Sequence, residues 1–135
     1  MWRFQSYISE EGVDELLRWY DGQVPSVQQE FVTTAFYLRT LSADAWIRPD
    51  YDDLTKKEKL LEFGEIRVRV EVDGLIQQHR ILGFRDIDAM VFTTVTAVHK
   101  TSRFHYDRAN LVARKQQIDS DPMKFTRNSD WIFDL

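Results

Sequence analysis

The stretch GEIRVRVEVDGLIQQHRILGF, residues 64–84, sets Ile66, Val68, Val70 and Val72 on one side of the chain and Arg67, Arg69 and Glu71 on the other. A period of two is the signature of a strand with one buried face. Asp73-Gly74 is the dipeptide favoured by a two-residue hairpin turn, whose central residues need positive φ. That turn fixes the register: Val72 faces Leu75, Arg69 faces Gln78 and Arg67 faces Arg80, while His79 falls with Ile66 and Ile81 on the core side. Like charges directly opposite on neighbouring strands repel. The Arg67–Arg80 pair therefore calls either for a bound polyanion, which planar guanidinium groups suit, or for an acidic neighbour such as Glu65 or Glu71 on a solvated face. On the first reading, truncating Arg80 relieves repulsion and leaves stability unchanged or slightly raised.

Working outward, AMVFTTVTAV (89–98) is β-branched and nearly apolar, which predicts a central strand buried on both faces. With an even number of residues in the loop before it, Thr93 lies beside Arg80, and alternation then turns His99 to the arginine side. HKTSRFHYDRANLVARKQQI (99–118) opens a helix with Ala109, Val112 and Ala113 as a small apolar seam and Tyr106 in its first turn. On the other flank, WRFQSYI (2–8) alternates as a short strand. Ser9 precedes a helix through Tyr20, and Pro25-Ser26 opens a second one with Val27, Phe31, Ala35, Leu38 and Leu41 as its stripe. The few residues between them predict an antiparallel helical hairpin. Residues 42–63 read as an irregular connection with a helical turn near 55–61, and KKEK (56–59) as a solvated run. The tail FTRNSDWIFDL (125–135) is too apolar to hang free and is expected on the body or on a partner. The sum is an α+β domain: an N-terminal strand and helical hairpin packed on one face of an antiparallel meander, followed by a C-terminal helix and tail.

The chain has 135 residues, 43% of them hydrophobic and none of them cysteine. This suits one domain, 1–135, with residues 120–135 as an extension. It also excludes a disulfide framework and Cys-ligated zinc. No basic n-region or long apolar run is present, so neither a signal peptide nor a membrane span is expected, and the reading is cytoplasmic. PDYDD (49–53) lacks the glycine and glutamate of a calcium loop. No Gly-rich phosphate loop or Ser-His-Asp pattern stands out, and no metal or cofactor is expected. The formal net charge of −4 argues against nucleic acid binding by the surface as a whole and confines any anion site to a local patch.

Three segments carry a resemblance: Glu65-Ile66-Arg67, His79-Arg80-Ile81-Leu82 and Val98-His99-Lys100-Thr101. Together with the element order over residues 2–118 they resemble the RelE/ParE toxin superfamily, above all its phage-derived HigB-like branch. That branch has Gly-x-x-Glu-Leu-Arg strands, a Tyr-Arg-hydrophobic second strand and a Phe-x-Lys-Lys-Thr ending of the last strand. Here the Lys-Lys is His-Lys, no proline follows, the chain is acidic and the tail is extra.

The resemblance implies a type II toxin: a ribosome-dependent mRNA endonuclease working without metal, with ribosome, mRNA and a cognate antitoxin as partners. The alternative is a non-catalytic gyrase-binding toxin of the ParE kind, or a degenerate relative that only binds its antitoxin. Carried over by motif, Arg67, Arg80, His99, Lys100 and Tyr106 are the catalytic candidates, and Arg69, Arg103 and Arg108 the further RNA contacts. Arginines suit a developing phosphorane, and a histidine titrates near neutral pH, which makes His99 the acid–base candidate. His105 lies beside Tyr106 as a residue of the groove or of the solvated surface. The acidic surface and apolar tail point to a homodimer or to a complex whose antitoxin lays an acidic or extended segment over the arginine face.

Overall fold

A computed structural model describes residues 1–134. In chain order the elements are β1 (Arg3–Tyr7), α1 (Glu15–Asp21), α2 (Pro25–Arg39), β2 (Tyr51–Asp53), β3 (Phe63–Val72) and β4 (Leu75–Asp86). β5 (Val91–Lys100), α3 (Arg108–Ser120), α4 (Pro122–Phe125) and β6 (Thr126–Asn128) complete them. The architecture is α+β around one mixed sheet of order β2-β3-β4-β5-β1-β6, in which β1 runs parallel to β5 and every other neighbour is antiparallel.

The hairpin forms in the predicted register. Asp73 and Gly74 take φ of 51° and 80°, the two positive values of a type I′ turn. Val72 pairs with Leu75, Arg69 with Gln78 and Arg67 with Arg80.

The register of β5 departs from a simple count. Thr93 pairs with Phe84, four residues from Arg80, whose partner is Val98. Between the Gly83–Thr94 and Leu82–Thr96 pairs, β5 carries one extra residue, Val95. Such a bulge inverts the alternation beyond it. His99 is thereby turned away from the arginines to pair with His79, and Lys100 is turned toward them, beside Gln78. The bulge sits where the chain can approach closely: a Cβ on Gly83 would run into the Thr93 carbonyl.

Each face of the sheet is covered. Ile66, Val68, Ile81 and Phe92 meet Val27, Phe31, Ala35 and Leu38 of α2, all fully buried; each such side chain contributes about 1.5–3 kcal/mol relative to exposure. The opposite face is covered by α3, whose Leu111 and Ile118 pack with Tyr7, Phe63, Leu82 and Val95. The helices thus lie on both faces rather than one. The seam of α3 is Leu111 and Ile118, because the helix starts at Arg108 behind an Asp107 cap. Ala109, Val112 and Ala113 face solvent. Asp107, not the end of β5, sets that start, so Tyr106 precedes the helix in the loop 101–107.

Three local expectations change. Ser9 closes a turn, accepting from the Gly12 and Val13 amides. Gly12 turns left-handed at φ 86°, and α1 starts after Asp14, whose carboxylate accepts from the Leu17 amide. Residues 55–61 form turns rather than a helical turn, and Tyr51–Asp53 adds the short edge strand β2. The tail is spent within the chain. β6 pairs with β1, Ile132 is buried, and the Phe133 ring lies 5.4 Å from Phe4 and 5.0 Å from Phe36. Its apolar residues therefore give no reason to expect a dimer.

Candidate nucleic-acid interface

Pairing across β3, β4 and β5 sorts the α3 side of the sheet into rows. At the hairpin end lies Arg69–Gln78–Lys100, then Arg67–Arg80–Val98, then Glu65–Leu82–Thr96. Polarity falls along them. Arg69 is exposed and Lys100 partly so, while Leu82 is buried beneath α3.

Glu65 is the centre of the charged part. Its side chain is 2% exposed, with Arg80 Nε at 3.2 Å and Arg67 Nε at 3.4 Å from Oε2. These are charge contacts, because neither Nε–H is aligned on an acceptor. Oε1 accepts a 2.5 Å hydrogen bond from the Tyr106 hydroxyl. Arg80 is 1% exposed; its guanidinium donates to the His79 carbonyl at 3.2 Å and to Gln78 Oε1 at 2.6 Å. Burial lowers the Arg80 pKa, and the Arg67 charge lowers it further. Burial, followed by the hydrogen bond to Glu65, raises that of Tyr106, which stays a neutral phenol. Arg48, just before β2, donates to Asp52 of that strand at 2.8 Å, and this bond holds the Asp52 carboxyl below the usual range. Asp52 pairs with Glu65 across the strands. Three arginines thus face two carboxylates. The opposed arginines are reconciled by Glu65, and Arg80 is enclosed rather than solvated.

Beside this cluster opens a cleft of about 520 Å³ lined by Glu58, Leu60, Lys100, Phe104, His105, Tyr106 and Arg108. Arg108 is anchored there by donating to the Lys59 carbonyl at 2.6 Å. Phe104 and Tyr106 stand edge to face with centroids 5.0 Å apart. A cleft with cations at its mouth and aromatic rings in its wall can hold a phosphodiester and stack a base.

Of the residues singled out in the sequence, Arg67, Arg80 and Tyr106 meet at Glu65, and Lys100, Tyr106 and Arg108 line the cleft. Arg69 lies in the outer row and Arg103 is exposed on the loop. His99 is elsewhere. On the α1/α2 side of the sheet it stacks on His79 with ring centroids 4.6 Å apart. His79 is fully buried. Its Nδ1 accepts from Trp19 Nε1 at 3.1 Å, so Nε2 carries the proton and donates to Gln77 Oε1 at 3.0 Å. Burial, then the neighbouring His99 and Arg80, pushes its pKa down to about 4. His105, on the loop 101–107, lines the cleft instead.

Sequence reasoning treated Glu65 only as a neutralising charge and missed Glu58, Leu60 and Phe104. The first was legible from its place two residues before Arg67. The others depend on how the loops 54–62 and 101–107 fold over the sheet. Among the described residues no three His, Asp or Glu side chains converge as a metal donor set, and no helix is long and apolar enough to cross a membrane. Comparison with family models, curated proteins and solved structures finds no match.

Proposed function

We propose that the α3 side of the sheet is an RNA-binding groove, and that the protein is a translation-inhibiting mRNA endonuclease of the RelE/HigB kind, held inactive by an antitoxin. The observation that carries this reading is the convergence of Lys100, His105, Tyr106 and Arg108 on one cleft bordering the arginine rows. The resemblance drawn from the sequence supports the same reading, and the groove supplies the local positive patch that an acidic chain needs to meet RNA.

The chemistry runs as an internal transfer. The ribose 2′-oxygen attacks the adjacent phosphorus and loses its proton, the bond to the 5′-oxygen breaks, and that oxygen takes up a proton. The products are a 2′,3′-cyclic phosphate and a 5′-hydroxyl. His105 is placed to accept the first proton, and the Lys100 ammonium to supply the second. Arg67, whose side chain is 21% exposed, and Lys100 offset the phosphorane charge. Glu65 and Arg80 are positioning residues: one carboxylate holds Arg67 and Tyr106, and the enclosed Arg80 holds that carboxylate.

One observation favours the second reading, a gyrase-binding or inert relative: Arg80 is spent on Glu65, Gln78 and a backbone carbonyl. Expression in bacteria, read together for growth arrest, mRNA integrity and plasmid supercoiling, separates the two. Arrest with cut mRNA and unchanged supercoiling is expected; altered supercoiling over intact mRNA moves the assignment to gyrase.

A further inference from the structure

Behind the charged cleft lies a second cavity of about 130 Å³, between the start of α3 and Leu82, Thr96 and Val98 of the sheet. Its hydrocarbon lining is Leu82, Val98 and Leu111, and Thr96, Asp107 and Asn110 add polar groups. Phe104, His105 and Tyr106 line both spaces, so the cavity opens from the cleft. Dry aliphatic cavities of about this size accept a single aromatic ring. Asp107 is taken up by capping α3; the side chains of Asn110 and Thr96 are not. The Asn110 backbone amide is satisfied by Asp107 Oδ1 at 3.1 Å, so capping makes no demand on its carboxamide. Neither that carboxamide nor the Thr96 hydroxyl is engaged by another described side chain.

We infer that this cavity is a base pocket, and that it takes a pyrimidine of the RNA whose backbone lies in the cleft. The inference rests on the RNA reading above for the placing of the phosphate. Size selects the base: a cavity of about 130 Å³ lined by Leu82, Val98 and Leu111 admits one six-membered ring and leaves no room inside it for the second ring of a purine. The edge is read by Asn110. A carboxamide carries a donor and an acceptor side by side, and both cytosine and uracil present such a complementary pair. Stacking on Tyr106 or Phe104 adds affinity without discriminating among bases. The pocket thus makes cleavage sequence-selective at one position beside the scissile phosphate.

The test titrates the purified full chain with CMP, UMP, AMP and GMP, followed by NMR of the leucine and valine methyl groups. CMP and UMP are expected to shift the Leu82 and Leu111 methyls and to bind at least about tenfold more tightly than the purine nucleotides, which lack both the fit and the edge contact, one good bidentate contact alone being of that order. Asn110→Ala lies on the partly exposed start of a helix, so its fold is preserved, which a melting curve checks. It should weaken CMP and UMP binding about tenfold, the value of the lost bidentate contact, while the weaker purine binding stays as it was. Equal binding of purines by wild type, no methyl shift, or CMP and UMP affinities unchanged in Asn110→Ala overturns the pocket. Loss of the pocket and loss of the endonuclease reading are separable. A protein that cuts RNA with no pyrimidine preference has no base pocket and remains a nuclease. One that binds pyrimidines through Asn110 but cuts nothing keeps the pocket and is not a nuclease.

Discussion

Arg80 Nε lies 3.2 Å from Glu65 Oε2, with the two side chains 1% and 2% exposed. The pair that seemed from sequence to be two repelling arginines is a buried ionic cluster with a carboxylate at its centre. Removing one partner of such a pair leaves the other charge without compensation in a low-dielectric site, a loss on the order of 3–5 kcal/mol. Because Glu65 keeps Arg67 and Tyr106, Arg80→Ala is expected near the bottom of that range, about 3 kcal/mol, and not at the slight gain that relief of repulsion implies. Urea denaturation of the variant beside wild type measures it. Unchanged stability would mean that Glu65 does not depend on Arg80.

The His79 pocket predicts a pH dependence. The folded-state pKa is about 4 against about 6.5 unfolded, so the folded protein disfavours the protonated ring. Stability from this residue is fully present above the unfolded value and falls away as pH drops from about 6.5 toward 4, by no more than about 1.4 kcal/mol per pH unit. His79→Gln, which cannot acquire that charge, should flatten this part of the stability–pH curve. An equally steep curve in the variant would place the dependence in other groups.

Gly83 at the β5 bulge makes a third test. A methyl group there meets the Thr93 carbonyl, a backbone atom that cannot step aside without moving the strand. Overpacking of this kind costs about 1–3 kcal/mol. Gly83→Ala is expected at the upper end, with a disturbed β4–β5 register visible in the amide hydrogen exchange of residues 94–100. A neutral substitution would show that β5 is free to shift.

The hairpin was legible because the period of two and an Asp-Gly turn act locally: the Arg67–Arg80 pairing needs nothing beyond residues 64–84. The helix α2 was legible for the same reason, from the spacing of Val27, Phe31, Ala35 and Leu38. The side of the sheet that Lys100 and His99 face was not. One extra residue, Val95, inverts the strand, and the close approach that accommodates it depends on Gly83 in another strand. The covering of the second face by α3 was hidden for a related reason. Its buried residues Leu111 and Ile118 stand seven apart among charged neighbours, a weak stripe whose phase emerges only once Asp107 fixes the start. Glu65 could have been found: it shares the face of Arg67 and Arg69, and an acid there is what two opposed guanidiniums require.

The central claim is that the cleft of Lys100, His105, Tyr106 and Arg108 cuts RNA. It is tested most directly by incubating the purified protein with a defined mRNA, with and without ribosomes, and mapping the ends produced by wild type, Lys100→Ala and His105→Gln. The account predicts ribosome-dependent cuts by wild type that leave 2′,3′-cyclic phosphate ends. Each variant should slow the cutting on the order of 10²-fold or more, the usual effect of losing a positioned acid–base group, with unchanged melting curves. Intact mRNA under wild-type protein on programmed ribosomes, or cutting that both variants perform at the wild-type rate, would contradict it.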